Sequence, residues 1–185
     1  MALMTKSIID ETKVKNAIAF FCIEHKKVTG KDPSQMFIYK YLALLDYICV
    51  ERFGIPSLGL KYCAMKMGPV ASDIYDNRKY CTNDRIAMLP VADDETKFVF
   101  RSQCRQASLE KFSKAEVEIM RGLVSQFADK PLDAIIDATH KIRAWIVAYG
   151  DGSIGRVPMH YQDQLDGGND DPRLEALSLY EFFKE

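Results

Sequence analysis

The stretch from residue 36 to 53 constrains the fold most, because it is long, almost entirely apolar, and free of proline and glycine. Pro33 suits the first turn of a helix with Asp32 as its cap, and Gly54 suits a helix end. We therefore predict a helix over residues 34–53. Since a helix that is apolar around its whole circumference is buried on most sides, we expect this one at the centre of the domain.

Two charged residues, Lys40 and Asp46, interrupt this apolar helix. An unpaired charge in a dry core costs several kcal/mol, so a charged side chain there needs a partner or a route to water. We therefore expect both residues near the ends of the buried part of the helix, each with a polar partner.

The rest of the chain predicts a mainly α-helical (α+β) domain with six or seven helices and one small β-hairpin. The hairpin combines residues 86–91 and 97–101, which are rich in Ile, Val and Phe and flank a polar turn over 92–96. Residues 55–70 contain several prolines and glycines and are interpreted as a structured loop. Two further helices are predicted over residues 13–27 and over residues 72–80, the second with Ser72 as its cap. A capping box at Ser113–Glu116 begins another helix, and Pro131 begins a short one. The last two predicted helices carry Ile142 to Tyr149 and begin at Asp171 and Pro172, respectively.

Charge is distributed unevenly along the chain, although 25 Lys and Arg nearly balance 26 Asp and Glu for a net charge of −1. Residues 151–185 carry −5, which leaves +4 on the first 150 residues. We expect residues 1–149 to form the helical domain. Residues 150–185 would then form a glycine-rich acidic loop and a C-terminal helix, which belong to the same domain or serve as an arm that contacts a partner. The neutral balance makes nucleic acid an unlikely partner for the chain.

The sequence predicts a cytoplasmic protein without a membrane anchor. The longest apolar run, Ala17 to Ile23, is far shorter than the ~20 residues that a bilayer requires, and the N-terminus has no signal-peptide layout. The cysteines are widely spaced and form no C-x-x-C pair, which is typical of reduced thiols and argues against a zinc site. They stand at positions 22, 49, 63, 81 and 104.

The sequence shows no arrangement typical of catalysis. Neither a G-x-S-x-G nucleophile turn nor a glycine-rich phosphate loop is present, and no histidine lies four residues from another. His25 is expected to pack in a helix, His140 to cap or bond within the core, and His160 to be solvated. We therefore expect a protein that is not an enzyme and holds no cofactor or metal.

Two separated blocks of residues resemble the Panacea domain of SocA-like antitoxins. The first block runs without a gap from residue 40 to 75, and the second, shorter block ends at Trp145. The resemblance covers roughly residues 32–149. The matching residues, which are expected to be structural, are Lys40, Asp46, Gly54, Pro56, Gly59, Tyr62, Gly68, Pro69, Val70, Ser72, Tyr75, Thr139, His140 and Trp145.

The resemblance implies a non-catalytic antitoxin that neutralises a cognate protein toxin by direct binding. In this family the toxin is usually encoded next to the antitoxin, and members occur in phage and other mobile elements. The toxin-contacting surface is not part of the shared residues, so the resemblance does not locate it.

Three alternatives stay open. A proteolytic adaptor would deliver its partner to a ClpXP-type protease, as one family member does. An enzyme would require a deep pocket that converges on His140, Asp46 or a cysteine. A DNA-binding autorepressor would require more positive charge than the +4 of the first 150 residues supplies.

Overall fold

The computed structural model describes residues 9–77, 82–92, 94–150, 152, 155–168 and 170–184. These residues form a mainly helical α+β fold with seven α-helices and five strands, as the sequence predicts for the fold class. The helices are α1 Glu11–Thr29, α2 Gln35–Phe53, α3 Ser72–Asp76, α4 Lys114–Phe127, α5 Leu132–Thr139, α6 Arg143–Tyr149 and α7 Pro172–Phe182. The strands are β1 Tyr62–Met65, β2 Gly68–Ala71, β3 Ile86–Val91, β4 Asp94–Ser102 and β5 Val157–Met159, and a 3-10 turn covers Tyr161–Gln164.

Helix α2 is the long apolar segment, and every residue from Ile38 to Tyr47 is buried. Helices α1, α4, α5 and α7 and strand β2 all pack against it. Lys40 and Asp46 are 0% exposed and lie near the two ends of this buried stretch, as expected, each with polar partners. They tolerate that position because backbone groups of neighbouring segments supply their polar partners.

The start of α2 also differs from the prediction. Ser34 occupies the N-cap position, and its side chain makes no capping hydrogen bond. Asp32 instead accepts hydrogen bonds from Lys26 Nζ at 2.9 Å and from Arg101 Nε at 2.7 Å. Two full positive charges attract a carboxylate more strongly than the partial charge at a helix start. Asp32 therefore ties the hairpin to the α1–α2 connection.

Two other helix starts are confirmed. Ser113 and Glu116 form the predicted capping box at α4, in which each side chain bonds to the backbone N–H of the other residue. Asp171 caps α7 by accepting a hydrogen bond from the backbone N–H of Arg173. In both cases the capping residue and its donor are at most three positions apart, so the geometry depends little on the rest of the fold.

Helix α3 is one turn long and begins at Ser72, with Ala71 at the N-cap position. The prediction that Ser72 caps this helix is therefore wrong, because Ser72 is already helical and its hydroxyl lies 3.1 Å from Cys63 Sγ. The helix ends at Asp76, and residues 78–80 of its predicted extent lie outside the described residues.

The expectation of a single hairpin is wrong, since the described residues contain two sheets. Strands β3 and β4 form the predicted hairpin, with β4 already beginning at Asp94; Asp93 of its turn lies outside the described residues. Strands β1 and β2 pair antiparallel, and β5 adds to the other edge of β1, with Tyr62 opposite both Ala71 and Met159. The segments 55–70 and 150–171 are therefore not loops throughout. Their strands are too short for an alternating pattern, and β5 lies far along the chain from its partner.

Helix α7 packs on α2 through a small apolar cluster in which Leu177 contacts Val50 and Leu165. Phe182 and Phe183 take no part in this contact, because they are 71% and 80% exposed. Only the helix face that carries Leu177 meets the rest of the chain.

The thiols of Cys22 and Cys49 are buried, and those of Cys63 and Cys104 are partly buried; all four are free. Burial raises the pKa of Cys49 to about 12, which keeps this thiol protonated. Cys81 lies outside the described residues. None of the helices that the structure describes is both long enough and apolar enough for a transmembrane span.

Candidate functional site

The residues of the first motif block surround two buried charges on α2. We call the first group the aspartate cluster: Asp46 and the groups that donate to it. Asp46 Oδ2 accepts from the backbone N–H of Leu60 at 3.2 Å and from the hydroxyls of Tyr62 at 3.0 Å and Tyr161 at 2.9 Å. Asp46 Oδ1 accepts from the backbone N–H of Leu58 at 2.5 Å. The carboxyl group thereby fixes the chain between α2 and β1.

Burial raises the pKa of the Asp46 carboxyl, and the donated hydrogen bonds oppose that rise. Burial beside Asp46 also raises the pKa of the Tyr62 and Tyr161 hydroxyls, so these two groups stay protonated and act as donors. A fully buried carboxyl whose lone pairs are occupied by protein donors is a structural anchor.

Three motif residues shape the chain that Asp46 holds. Pro56 is buried, and Gly54 and Gly59 adopt left-handed conformations with φ of +77° and +65°. A Cβ atom on Gly54 would lie 2.9 Å from the backbone of Arg173, and one on Gly59 would clash with the Tyr180 hydroxyl. Both glycines therefore permit α7 to approach α2 closely.

The second group is the lysine cluster, formed by Lys40, Gly68, Pro69 and Thr139. Lys40 Nζ donates to the carbonyl oxygen of Pro69 at 3.0 Å, and burial lowers the pKa of this amine to about 7. Gly68 has φ of +90°, and a Cβ there would lie 2.5 Å from Thr139 Oγ1 and 3.1 Å from Lys40 Nζ. The Thr139 hydroxyl donates to the carbonyl oxygen of Ile136 at 2.7 Å. Only glycine fits at this contact between β2, α2 and α5.

The second motif block completes the same region with a stack of three rings. His140 stacks on Trp145 with centroids 4.1 Å apart, and Trp145 stacks on Tyr149 at 4.6 Å. Trp145 Nε1 donates to the carbonyl oxygen of Met65 at 3.2 Å, which joins α6 to β1. His140 Nε2 is buried and has no hydrogen-bond partner among the described residues. Burial lowers the pKa of His140, and the nearby Lys40 lowers it further, so the ring is neutral near pH 7.

The remaining motif residues line the junction between β2 and α3. Val70 is buried in the core, Ser72 contacts Cys63, and the ring of Tyr75 lies 6.2 Å from that of Tyr39. The structure therefore brings the two sequence blocks together around the β1–β2 hairpin, and their polar atoms bond mainly to one another or to nearby backbone. In the described part of the chain, no group of His, Cys, Asp and Glu residues has the arrangement of a metal site.

Two features were not found from the sequence. Tyr161 completes the aspartate cluster from a segment interpreted as loop, and nothing in the neighbouring residues signals this role. The second is an open cavity of about 800 Å³ beside the β1–β2 turn. We call it the methionine groove, because Met36, Met65, Met67 and Met88 line it together with Phe98. Only folding brings these four methionines to one place.

No curated protein and no solved structure matches the chain. The family described as antitoxin SocA-like, Panacea domain, matches residues 38–146, which is more than half of the chain and includes both motif blocks. The chain therefore belongs to the SocA-like antitoxin family that is defined by the Panacea domain.

Proposed function

We propose that this protein is an antitoxin that neutralises a cognate protein toxin by direct binding. Membership of the SocA-like antitoxin family over residues 38–146 carries the proposal. The proposal includes a toxin encoded nearby, a cytoplasmic site of action, an association with phage or mobile elements, and no catalytic step or cofactor.

The internal contacts of the motif residues support this function. Asp46 anchors the chain between α2 and β1, and Lys40 anchors the β1–β2 hairpin from inside the core. Hydrogen bonds to buried charges are among the strong polar contacts of a fold, so they rigidify the elements they join. A rigid scaffold loses little conformational freedom on binding, which suits a domain whose task is to hold another protein.

Growth rescue tests the proposal. The adjoining gene is expressed from an inducible promoter, alone or together with this protein, and colony formation and complex formation are measured. We expect the adjoining gene alone to stop growth, and co-expression to restore growth and yield a complex that co-purifies. An Asp46→Ala variant, which removes the acceptor for the chain between α2 and β1, should not rescue. Growth arrest that persists with wild-type protein, and no complex, would contradict the function.

The same strains distinguish direct neutralisation from delivery to a protease. Direct neutralisation predicts that the half-life of the toxin is unchanged by this protein, and that rescue persists in a host lacking the ClpXP protease. A shortened half-life and loss of rescue in that host would instead identify an adaptor.

A further inference from the structure

The methionine groove combines an apolar lining with an exposed lysine, Lys66. Its walls come from α2, the β1–β2 turn, α3 and the β3–β4 hairpin. Methionine is flexible and polarisable, so methionine-lined surfaces adapt to varied apolar partners. Met67 sits at the turn and is 46% exposed, which leaves a large apolar side chain open to a partner. Gln35 Nε2 donates to the carbonyl oxygen of Thr96 at 3.2 Å, which ties the start of α2 to β4 beside the groove.

The charges at the groove favour an acidic occupant. Asp76 is a carboxylate in the lining, and Arg156 holds it through two hydrogen bonds of 2.7 and 2.9 Å. Lys66, which also lines the groove, is exposed and has no carboxylate within ion-pair distance among the residues the structure describes. A partner carboxylate next to Lys66 would therefore meet an unpaired positive charge.

We infer that the methionine groove is the toxin-docking surface, and that it receives a segment of the toxin in which apolar side chains flank an acidic residue. This inference rests on the proposed antitoxin function. The apolar side chains would fill the space between Met36, Met67 and Phe98, and the acidic residue would pair with Lys66. The β1–β2 turn is held by the lysine cluster and by Trp145, so the groove keeps its shape before the toxin arrives.

Binding measurements with purified product of the adjoining gene test the assignment. Met67→Glu and Lys66→Glu change the groove, and two matched controls place the same charge elsewhere. Leu179→Glu is on α7, where the side chain is 52% exposed, and Lys61→Glu is an exposed lysine outside the groove lining. We expect the dissociation constant to rise at least about tenfold for both groove variants. Met67→Leu and the two controls should bind like wild type, and all five variants should melt at the wild-type temperature.

Each other outcome overturns the assignment. Wild-type affinity in the groove variants, or an equal loss in Leu179→Glu and Met67→Glu, would show that the groove does not receive the toxin, while leaving the antitoxin function intact. A wild-type protein that is dimeric on its own and becomes monomeric in Met67→Glu would show that a second copy occupies the groove. Absence of binding by the wild-type protein itself would contradict the antitoxin function, and the groove assignment with it.

Discussion

Replacing Asp46 by Asn tests most directly whether the Asp46 carboxyl anchors the chain between α2 and β1, because the change keeps the size of the side chain and removes one acceptor oxygen. In one orientation the NH2 group of the new Asn side chain faces the backbone N–H of Leu60, and in the other orientation it faces the backbone N–H of Leu58, so two donors meet in either case. Neither backbone donor can turn away. The hydroxyls of Tyr62 and Tyr161 can turn and accept from the amide instead.

The expected cost follows from the donors that lose their acceptor. A buried donor without a partner costs about 1–3 kcal/mol, and hydrogen bonds to a charged acceptor lie at the upper end of the range. Removing a buried charge offsets part of this cost, since burial raises the pKa of Asp46. We therefore expect Asp46→Asn to lower the free energy of unfolding by about 2–4 kcal/mol, out of the ~5–15 kcal/mol that is usual for a domain.

Urea unfolding followed by circular dichroism measures this change, provided that the slope with denaturant is the same for both proteins. Tyr161→Phe is the matched control. It removes a hydroxyl that lies 2.9 Å from Asp46 Oδ2 and 2.6 Å from the carbonyl oxygen of Leu60, and it leaves the backbone donors of Leu58 and Leu60 in place, so a loss of about 1 kcal/mol is expected. A loss below about 1 kcal/mol for Asp46→Asn would refute the view that this carboxyl anchors the chain between α2 and β1.

Three further predictions concern stability. Leu45→Ala should cost about 2–5 kcal/mol in urea unfolding, because Leu45 is fully buried on α2; a cost below about 1 kcal/mol would show that the surrounding core does not pack on it. Lys40→Met should change the pH dependence of stability. Burial lowers the folded-state pKa of Lys40 from 10.5 to about 7, so between these pH values the unfolded chain binds more protons than the folded one. The free energy of unfolding of the wild type should therefore rise relative to that of the variant by up to about 5 kcal/mol from pH 7 to 10.5. A constant difference over that interval would show that the amine titrates normally. Ser113→Ala should cost about 0.5–2 kcal/mol by removing the cap of α4, and an unchanged melting temperature would contradict this role.

Features fixed by neighbouring residues could be predicted from the sequence. The capping box at Ser113 and the start of α7 at Asp171 each depend on residues a few positions apart, and both are found where the pattern places them. The apolar helix likewise indicates that Lys40 and Asp46 need polar partners, and each has them.

Features made by distant residues could not be predicted. Strand β5 exists because β1 offers a free edge, and the three residues of β5 carry no pattern of their own. Asp32 looked like a helix cap because the sequence does not show that Arg101 comes within 2.7 Å of it. The methionine groove was missed for the same reason, since Met36, Met67 and Met88 come from three separate elements.

Titration of the toxin with this protein tests the central claim most directly. The activity of purified product of the adjoining gene is measured while purified wild-type protein is added, with no protease present. We expect activity to be abolished near an equimolar ratio and the toxin to remain intact in the complex. Full toxin activity at a large molar excess of this protein would contradict the claim that direct binding is what neutralises the toxin.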